Sequence, residues 1–159
     1  MTTTDVVIRA ARPADQPTLQ RIFRDASLTN AGDRARLLAH PEHLLLDQDL
    51  IGRGRTRVAT LTDGRVIAFA STRVSSPHAL ELDDLFTDPD WRRRGAALSL
   101  VRQIVAEAAD EQMTTLQVTA NEHASEFYAA AGFVSDGPAR TTLGGGVLMH
   151  LTIGSAASG

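Results

Sequence analysis

Arg92, Arg93 and Arg94 run without a break into Gly95, Ala96 and Ala97. Leu85-Phe86-Thr87-Asp88-Pro89 precedes them as a strand end and loop, and an apolar run at helical spacing follows. The six residues therefore open a helix. The first N–H groups of a helix have no internal acceptor. Together with the positive end of the dipole they hold an anion, most naturally a phosphate. Gly95 leaves the backbone open to approach, and the arginine forks match phosphate oxygens. The competing reading is a solvated charge run. Against it stands the cost of cations at the positive end of a helix. Upstream, Glu81 and Asp83 lie two apart on an expected strand and share one face. A carboxylate buried there has a raised pKa and serves better as a proton acceptor. The competing reading is exposed strand charges. Asp84 points to the other face unless a bulge intervenes. Tyr128 is the only tyrosine. Its competing reading is a core residue of an amphipathic helix.

Other constellations carry less. His40-Pro41-Glu42-His43 places a proline inside the spacing of a histidine pair and offers no third ligand, so no metal site is expected. Gly52-Arg53-Gly54-Arg55 lacks the strand–turn–helix context of a phosphate loop. His123 and Ser125 read as exposed helix residues that could line a site.

The elements that must position these groups follow from the periodicity. Val6 to Ile8 predict a first strand. Leu19, Ile22, Phe23 and Ala26 predict one helix face. Two short helical pieces flank His40-Pro41. Residues 56–62 and 66–74 flank Asp63-Gly64, a strong hairpin signal, and 79–87 adds a third strand. Residues 95–112 predict the best helix of the chain, 116–118 a strand, and 121–131 a helix closed by Gly132. Phe133-Val134 starts another strand, Gly144-Gly145-Gly146 reads as a loop or turn, and 147–153 closes as a last strand. The order β-α-α-β-β-β-α-β-α-β-β implies an α/β (α+β) fold. Its mixed, mostly antiparallel sheet has six or seven strands and helices on both faces.

The 159 residues predict a single domain over 1–153, with 154–159 as a flexible tail. All 16 basic residues are arginine, and there is neither lysine nor cysteine. Schiff-base lysines, thiolate nucleophiles, cysteine zinc sites and disulfides are thereby excluded. A net charge of −3 argues against a nucleic-acid partner. No run is long and apolar enough to suggest a membrane span, and the N-terminus lacks a secretory pattern. Zero cysteine is compatible with a reducing cytoplasm, the expected compartment.

Arg92-Arg93-Arg94-Gly95-Ala96-Ala97 resembles the acetyl-CoA motif of the GCN5-related N-acetyltransferase (GNAT) superfamily, preceded by that family's Leu-aromatic-x-x-Pro run. Asn121-x-x-Ala124-x-x-Phe127-Tyr128, followed by Gly132-Phe133, resembles a second block of the same family. The clear resemblance covers residues 79–134. It implies a splayed parallel strand pair, with acetyl-CoA as cofactor and an amine as acceptor. The pantetheine arm would pair along Leu85, Phe86 and Thr87, and the pyrophosphate would sit on the amides from Arg92 to Ala97. Asn121, Ala124 and Phe127 would line the pantetheine channel. Tyr128 would protonate the leaving thiolate, and Glu81 matches the position of a glutamate base, with Asp83 or a bound water as alternatives. Segments 27–53 and 136–146 would select the acceptor. The acidic Asp33, Glu42, Asp47 and Asp49 of the first suit a cationic amine. Many relatives dimerise, so a homodimer is compatible with the resemblance. Two other readings stay open: an acyltransferase for a larger acyl-CoA, and a CoA-binding sensor without turnover.

Overall fold

The computed structural model describes residues 5–141 and 144–154. In chain order it forms β1 (Val7–Ala10), α1 (Gln16–Ser27), α2 (Ala31–Ala39), β2 (Thr56–Thr60), β3 (Val66–Ser76) and β4 (Ala79–Thr87). There follow α3 (Ala96–Asp110), β5 (Thr115–Asn121), α4 (Ser125–Ala130), β6 (Val134–Thr141) and β7 (Gly144–Thr152). Seven strands hydrogen-bond in the order β1-β2-β3-β4-β5-β7-β6, mostly antiparallel, with a parallel pair at β4–β5. The chain divides into two compact units. One comprises the described residues up to Ser71 with Asp84–Val101; the other comprises Thr72–Asp83 with the described residues from Arg102 onward.

In the first unit the predicted face of α1 is buried. Leu19 and Ile22 are wholly enclosed and pack with Leu46, Leu50, Val58, Val66 and Phe69. Asn30 starts α2 by accepting from the N–H groups of Gly32 and Asp33, as a side-chain N-cap should. Pro41 ends that helix, and a short 3-10 turn over Pro41–Leu44 buries Leu44. The Asp63-Gly64 turn forms as read. Gly64 has φ +93°, and Leu61 donates to the Arg65 carbonyl at 2.8 Å.

In the second unit the parallel register runs from Ala79↔Thr115 to Leu82↔Val118 and stops there. Both strands continue, β4 to Thr87 and β5 to Asn121. Strand β5 then pairs along its whole length with β7. Gly144-Gly145-Gly146, expected as a loop or turn, instead form the first residues of β7. The reason is steric. A Cβ on Gly146 would sit 2.7 Å from the Ala120 carbonyl oxygen and 2.8 Å from Thr141 Cγ2. Only glycine lets these backbones approach.

A substitution pair tests this. Gly146→Ala is expected to destabilise the protein by about 1–3 kcal/mol, since it overpacks against fixed backbone. At Gly145 a Cβ meets only the tip of the Glu122 side chain, at 3.2 Å. Gly145→Ala should therefore stay within about 0.5 kcal/mol. Urea midpoints of the two variants read the difference.

Candidate active site

The arginine turn rests on a buried aspartate. Asp88 is 6 % exposed. Its N–H donates to the Ile67 carbonyl at 2.8 Å, which ties the end of β4 to β3. Its Oδ1 accepts from the Asp90 N–H at 3.0 Å and caps the 3-10 turn Pro89–Trp91. Its Oδ2 accepts from Arg21 of α1 at 3.1 Å. Phe86, just before, lies edge-on to Phe23 (5.0 Å between centroids) and tilted on Phe69 (5.7 Å). Strand end and turn are thus fixed from beneath. Asp88→Ala should cost about 1–2 kcal/mol through loss of the cap. Arg21 is half exposed, so Arg21→Ala should cost less than about 1 kcal/mol. Denaturant titration of both variants checks the order.

Above this base the chain twists. Arg93 takes φ +61° and Gly95 φ +86°. Left-handed backbone is ordinary for glycine but costly for arginine. Left-handed residues in a turn are one way in which a chain gathers successive N–H groups into an anion-binding nest. Gly95 accepts from Ser99 N–H at 3.0 Å and so begins α3. The helix starts at Ala96, one residue later than the sequence indicates, because left-handed Gly95 cannot be helical. Ala96 is buried, and Arg92, Arg93 and Arg94 are all exposed. The Arg94 guanidinium lies 5.6 Å from the Trp91 ring centre, a cation–π contact that steadies one of the three.

In the second unit Glu81 and Asp83 share a face of β4, as alternation requires, with Leu80 and Leu82 buried on the other. Glu81 is half-buried, and Asp83 is exposed and bridged by Arg73 at 3.3 and 3.4 Å. Burial first, and then the neighbouring Asp83 charge, raise the Glu81 pKa above the usual carboxylate value, with Arg73 opposing. Asp84 belongs to the first unit and bonds to the buried Ser71 hydroxyl.

The Asn121–Phe133 block is held by local hydrogen bonds at both ends. Asn121 Oδ1 accepts from the Ala124 N–H at 2.9 Å, so β5 runs through Asn121 and the helix shrinks to Ser125–Ala130. At the far end Gly132 takes φ +106°. Phe133 N–H reaches the Tyr128 carbonyl at 2.9 Å, and Gly132 N–H reaches that of Ala129 at 3.1 Å. This is a Schellman closure, and its usual apolar contact is the Tyr128–Phe133 ring pair at 5.2 Å. Phe127 stands edge-on to Tyr128, also at 5.2 Å. Tyr128 is 7 % exposed, and Asn121 is exposed.

Sequence reading missed Arg21. Nothing local marks it, since its partner Asp88 lies 67 residues away. Asp88 before a proline carried a capping signal that would have drawn attention to it. Segment 27–53 contributes Gln48, Ile51 and Gly52 to an open pocket of about 550 Å³. Pro13, Gln16, Pro17 and Gln20 complete its lining. Among the described residues no helix is long and apolar enough to cross a membrane.

The sequence model of the acetyltransferase (GNAT) family matches residues 19–133, more than half of the chain. The chain belongs to this family. This GNAT protein is 28% identical over 138 residues to an uncharacterised N-acetyltransferase of Mycobacterium bovis, covering 85% of this chain and 80% of that one. Its fold superposes on a GCN5-related N-acetyltransferase structure from Rhodopseudomonas palustris with a TM-score of 0.77. That alignment has 21% identity and covers 96% of this chain and 98% of the other. A GNAT phosphinothricin acetyltransferase of Sinorhizobium meliloti, solved in complex with AcCoA, superposes with a TM-score of 0.71. There identity is 18%, over 96% of this chain and 91% of that one. The matched GNAT segment starts at Leu19 on the buried face of α1 and ends at Phe133, the residue that closes the tyrosine helix.

Proposed function

We propose that this GNAT chain transfers an acetyl group from acetyl-CoA to a primary amine of a small molecule or of a peptide or protein, by direct attack. The observation that carries the reading is the twisted turn at Arg93 and Gly95 opening the 15-residue helix α3. Its amides and three exposed guanidinium groups suit a pyrophosphate. The AcCoA complex of the Sinorhizobium meliloti relative supports the same cofactor. Residues 1–153 act as one acetyltransferase domain in this reading. The net charge of −3 speaks against nucleic acid as a partner.

Each residue then has a task. The pantetheine arm pairs along Leu85–Thr87, where β4 has run past its last pairing with β5. Asn121, Ala124 and Phe127 line the arm. Glu81 takes a proton from the acceptor ammonium, for which its raised pKa suits it. Asp83, already bridged to Arg73, is the weaker candidate. The amine attacks the thioester carbon, and an N–H near Phe86 or Thr87 stabilises the oxyanion. The adduct nitrogen loses its second proton, the C–S bond breaks, and Tyr128 gives its proton to the departing thiolate.

Release of free CoA thiol on mixing the protein with acetyl-CoA and a panel of primary amines tests the reading. Thiol release that depends on an amine supports it. CoA binding without release for any amine points to a sensor, and faster release from longer acyl-CoA points to a larger acyl group.

A further inference from the structure

Strand β6 carries a bulge. Ser135 pairs with Met149 and Gly137 with Leu148, so Asp136 is an extra residue in the ladder. Gly137 supplies the twist with φ +123°. Bulges bend a strand and re-aim its side chains. Here Asp136 Oδ2 comes to 2.7 Å from His150 Nδ1 on β7. Cross-strand register places His150 beside Gln117, and Gln117 beside Glu81. Residues opposite one another in a ladder share a face. Glu81, Gln117 and His150 therefore form one row across β4, β5 and β7. With neighbouring strands about 4.8 Å apart, the Glu81 and His150 backbones stand about 10 Å apart, near enough for the two side chains to address one ligand between them.

This face is open. The side chains of His150 and Asp136 are 32 % and 35 % exposed, and Leu148 and Val134 beside them are exposed as well. The other face is closed: Leu80, Leu82, Leu116, Val118 and Met149 are buried there. The end of α4 covers it, since a Cβ at Gly132 would meet Leu151 at 3.2 Å. The charged groups on the open face are Glu81 and Asp83 of β4, Arg73 of β3, and Asp136 of β6. Strand β5 adds only neutral residues there, Thr115, Gln117, Thr119 and Asn121. With His150 neutral the face carries more negative than positive charge, which favours a cationic ligand. A carboxylate only accepts, so in the neutral imidazole the Asp136 contact matches the tautomer with the proton on Nδ1 and the lone pair on Nε2. An oriented imidazole with a free lone pair is the arrangement of a general base.

We propose that His150, oriented by Asp136, is a second proton acceptor on the acceptor side of the acetyl-transfer reaction. The proposal rests on the acetyltransferase reading above and commits that site to a protonated primary amine. An ammonium that becomes an amide sheds two protons. Glu81 takes the first and frees the lone pair that forms the C–N bond. The nitrogen of the tetrahedral adduct is then cationic, and His150 Nε2 takes its second proton. The C–S bond breaks as the carbonyl re-forms, and Tyr128 protonates the thiolate and is reprotonated by water. Two protons leave nitrogen, one ends on sulfur, and one passes to solvent. Asp136 is a positioning residue in this scheme.

The test combines kinetics and spectroscopy on the full chain. His150→Ala is expected to lower kcat by about 100-fold, leave the KM for acetyl-CoA unchanged, and regain turnover when imidazole is added to the buffer. His150→Gln, which keeps more of the cross-strand bulk, should lose kcat alike. In the free protein the ¹⁵N shifts of His150 should show the Nδ1–H tautomer, and Asp136→Asn should mix the tautomers. An active wild type whose His150 variants keep full kcat, or are not rescued by imidazole, overturns this proposal alone. So does an Nε2–H tautomer. A wild type that turns over no amine overturns the acetyltransferase reading, and this proposal with it.

Discussion

Tyr128→Phe is expected to lower kcat by about 100-fold or more, the usual worth of a positioned proton donor, while the KM for acetyl-CoA changes by less than about twofold. The variant keeps the ring and so keeps its edge contacts with Phe127 and Phe133. The Schellman closure is made by backbone groups of residues 128–133 and does not need the hydroxyl. Loss of turnover therefore reports the phenol and not a collapsed helix, and an unchanged thermal midpoint would confirm the distinction. The expectation is sharp because Tyr128 is buried, which is also what a purely structural tyrosine shows. Full turnover in the phenylalanine variant would leave Tyr128 as a packing residue and remove it from the mechanism. Steady-state thiol release against amine at saturating acetyl-CoA measures it.

Glu81→Gln is the second large effect. Glu81 must be ionised to accept a proton, so wild-type kcat/KM should rise with pH through the raised Glu81 pKa. Its acid limb should therefore lie above the ordinary carboxylate range. The glutamine variant should lose about 100-fold in kcat/KM at the optimum and lose that limb. The shift comes first from burial and then from Asp83. Arg73→Gln, which removes the opposing cation, should move the wild-type limb further up. The stability consequence has the opposite sign. A carboxylate whose folded pKa is raised stabilises the fold below its unfolded pKa, and that stabilisation is lost as pH rises through the folded value. Glutamine mimics the protonated form. Glu81→Gln should thus unfold at a higher temperature than wild type at neutral pH and at nearly the same temperature in acid. A variant that loses both activity and stability would identify Glu81 as a structural acid, not the base.

Much of the scaffold was legible in the chain because local rules govern it. The Asp63-Gly64 hairpin, the α1 face of Leu19 and Ile22, the break at Pro41 and the Gly132 closure are each encoded within a few residues. The strand–turn–helix at Arg92 to Ala97 was legible for the same reason. The boundaries slipped where a side chain or a left-handed residue intervened. Asn121 turned its own carboxamide onto the Ala124 amide and shortened a helix, and Gln112, left-handed at φ +64°, ended α3 at Asp110.

By itself the sequence determined the order of the elements, the exclusion of lysine and cysteine chemistry, and the position of the arginine turn that opens α3. It also determined the spacing that puts Glu81 and Asp83 on one face. Tertiary structure alone decided that three consecutive glycines form a strand, because a carbonyl 2.7 Å from the missing Cβ of Gly146 belongs to another strand. It alone decided that Arg21 steadies the arginine turn through Asp88, and that Asp83, not Glu81, is bridged by Arg73. The His150–Asp136 pair is of the same kind. A one-residue bulge sets which face Asp136 reaches, and a bulge depends on pairing between strands. Periodicity specifies what a segment prefers. Register and long-range contact specify what it meets, and the chemistry of this chain depends on both.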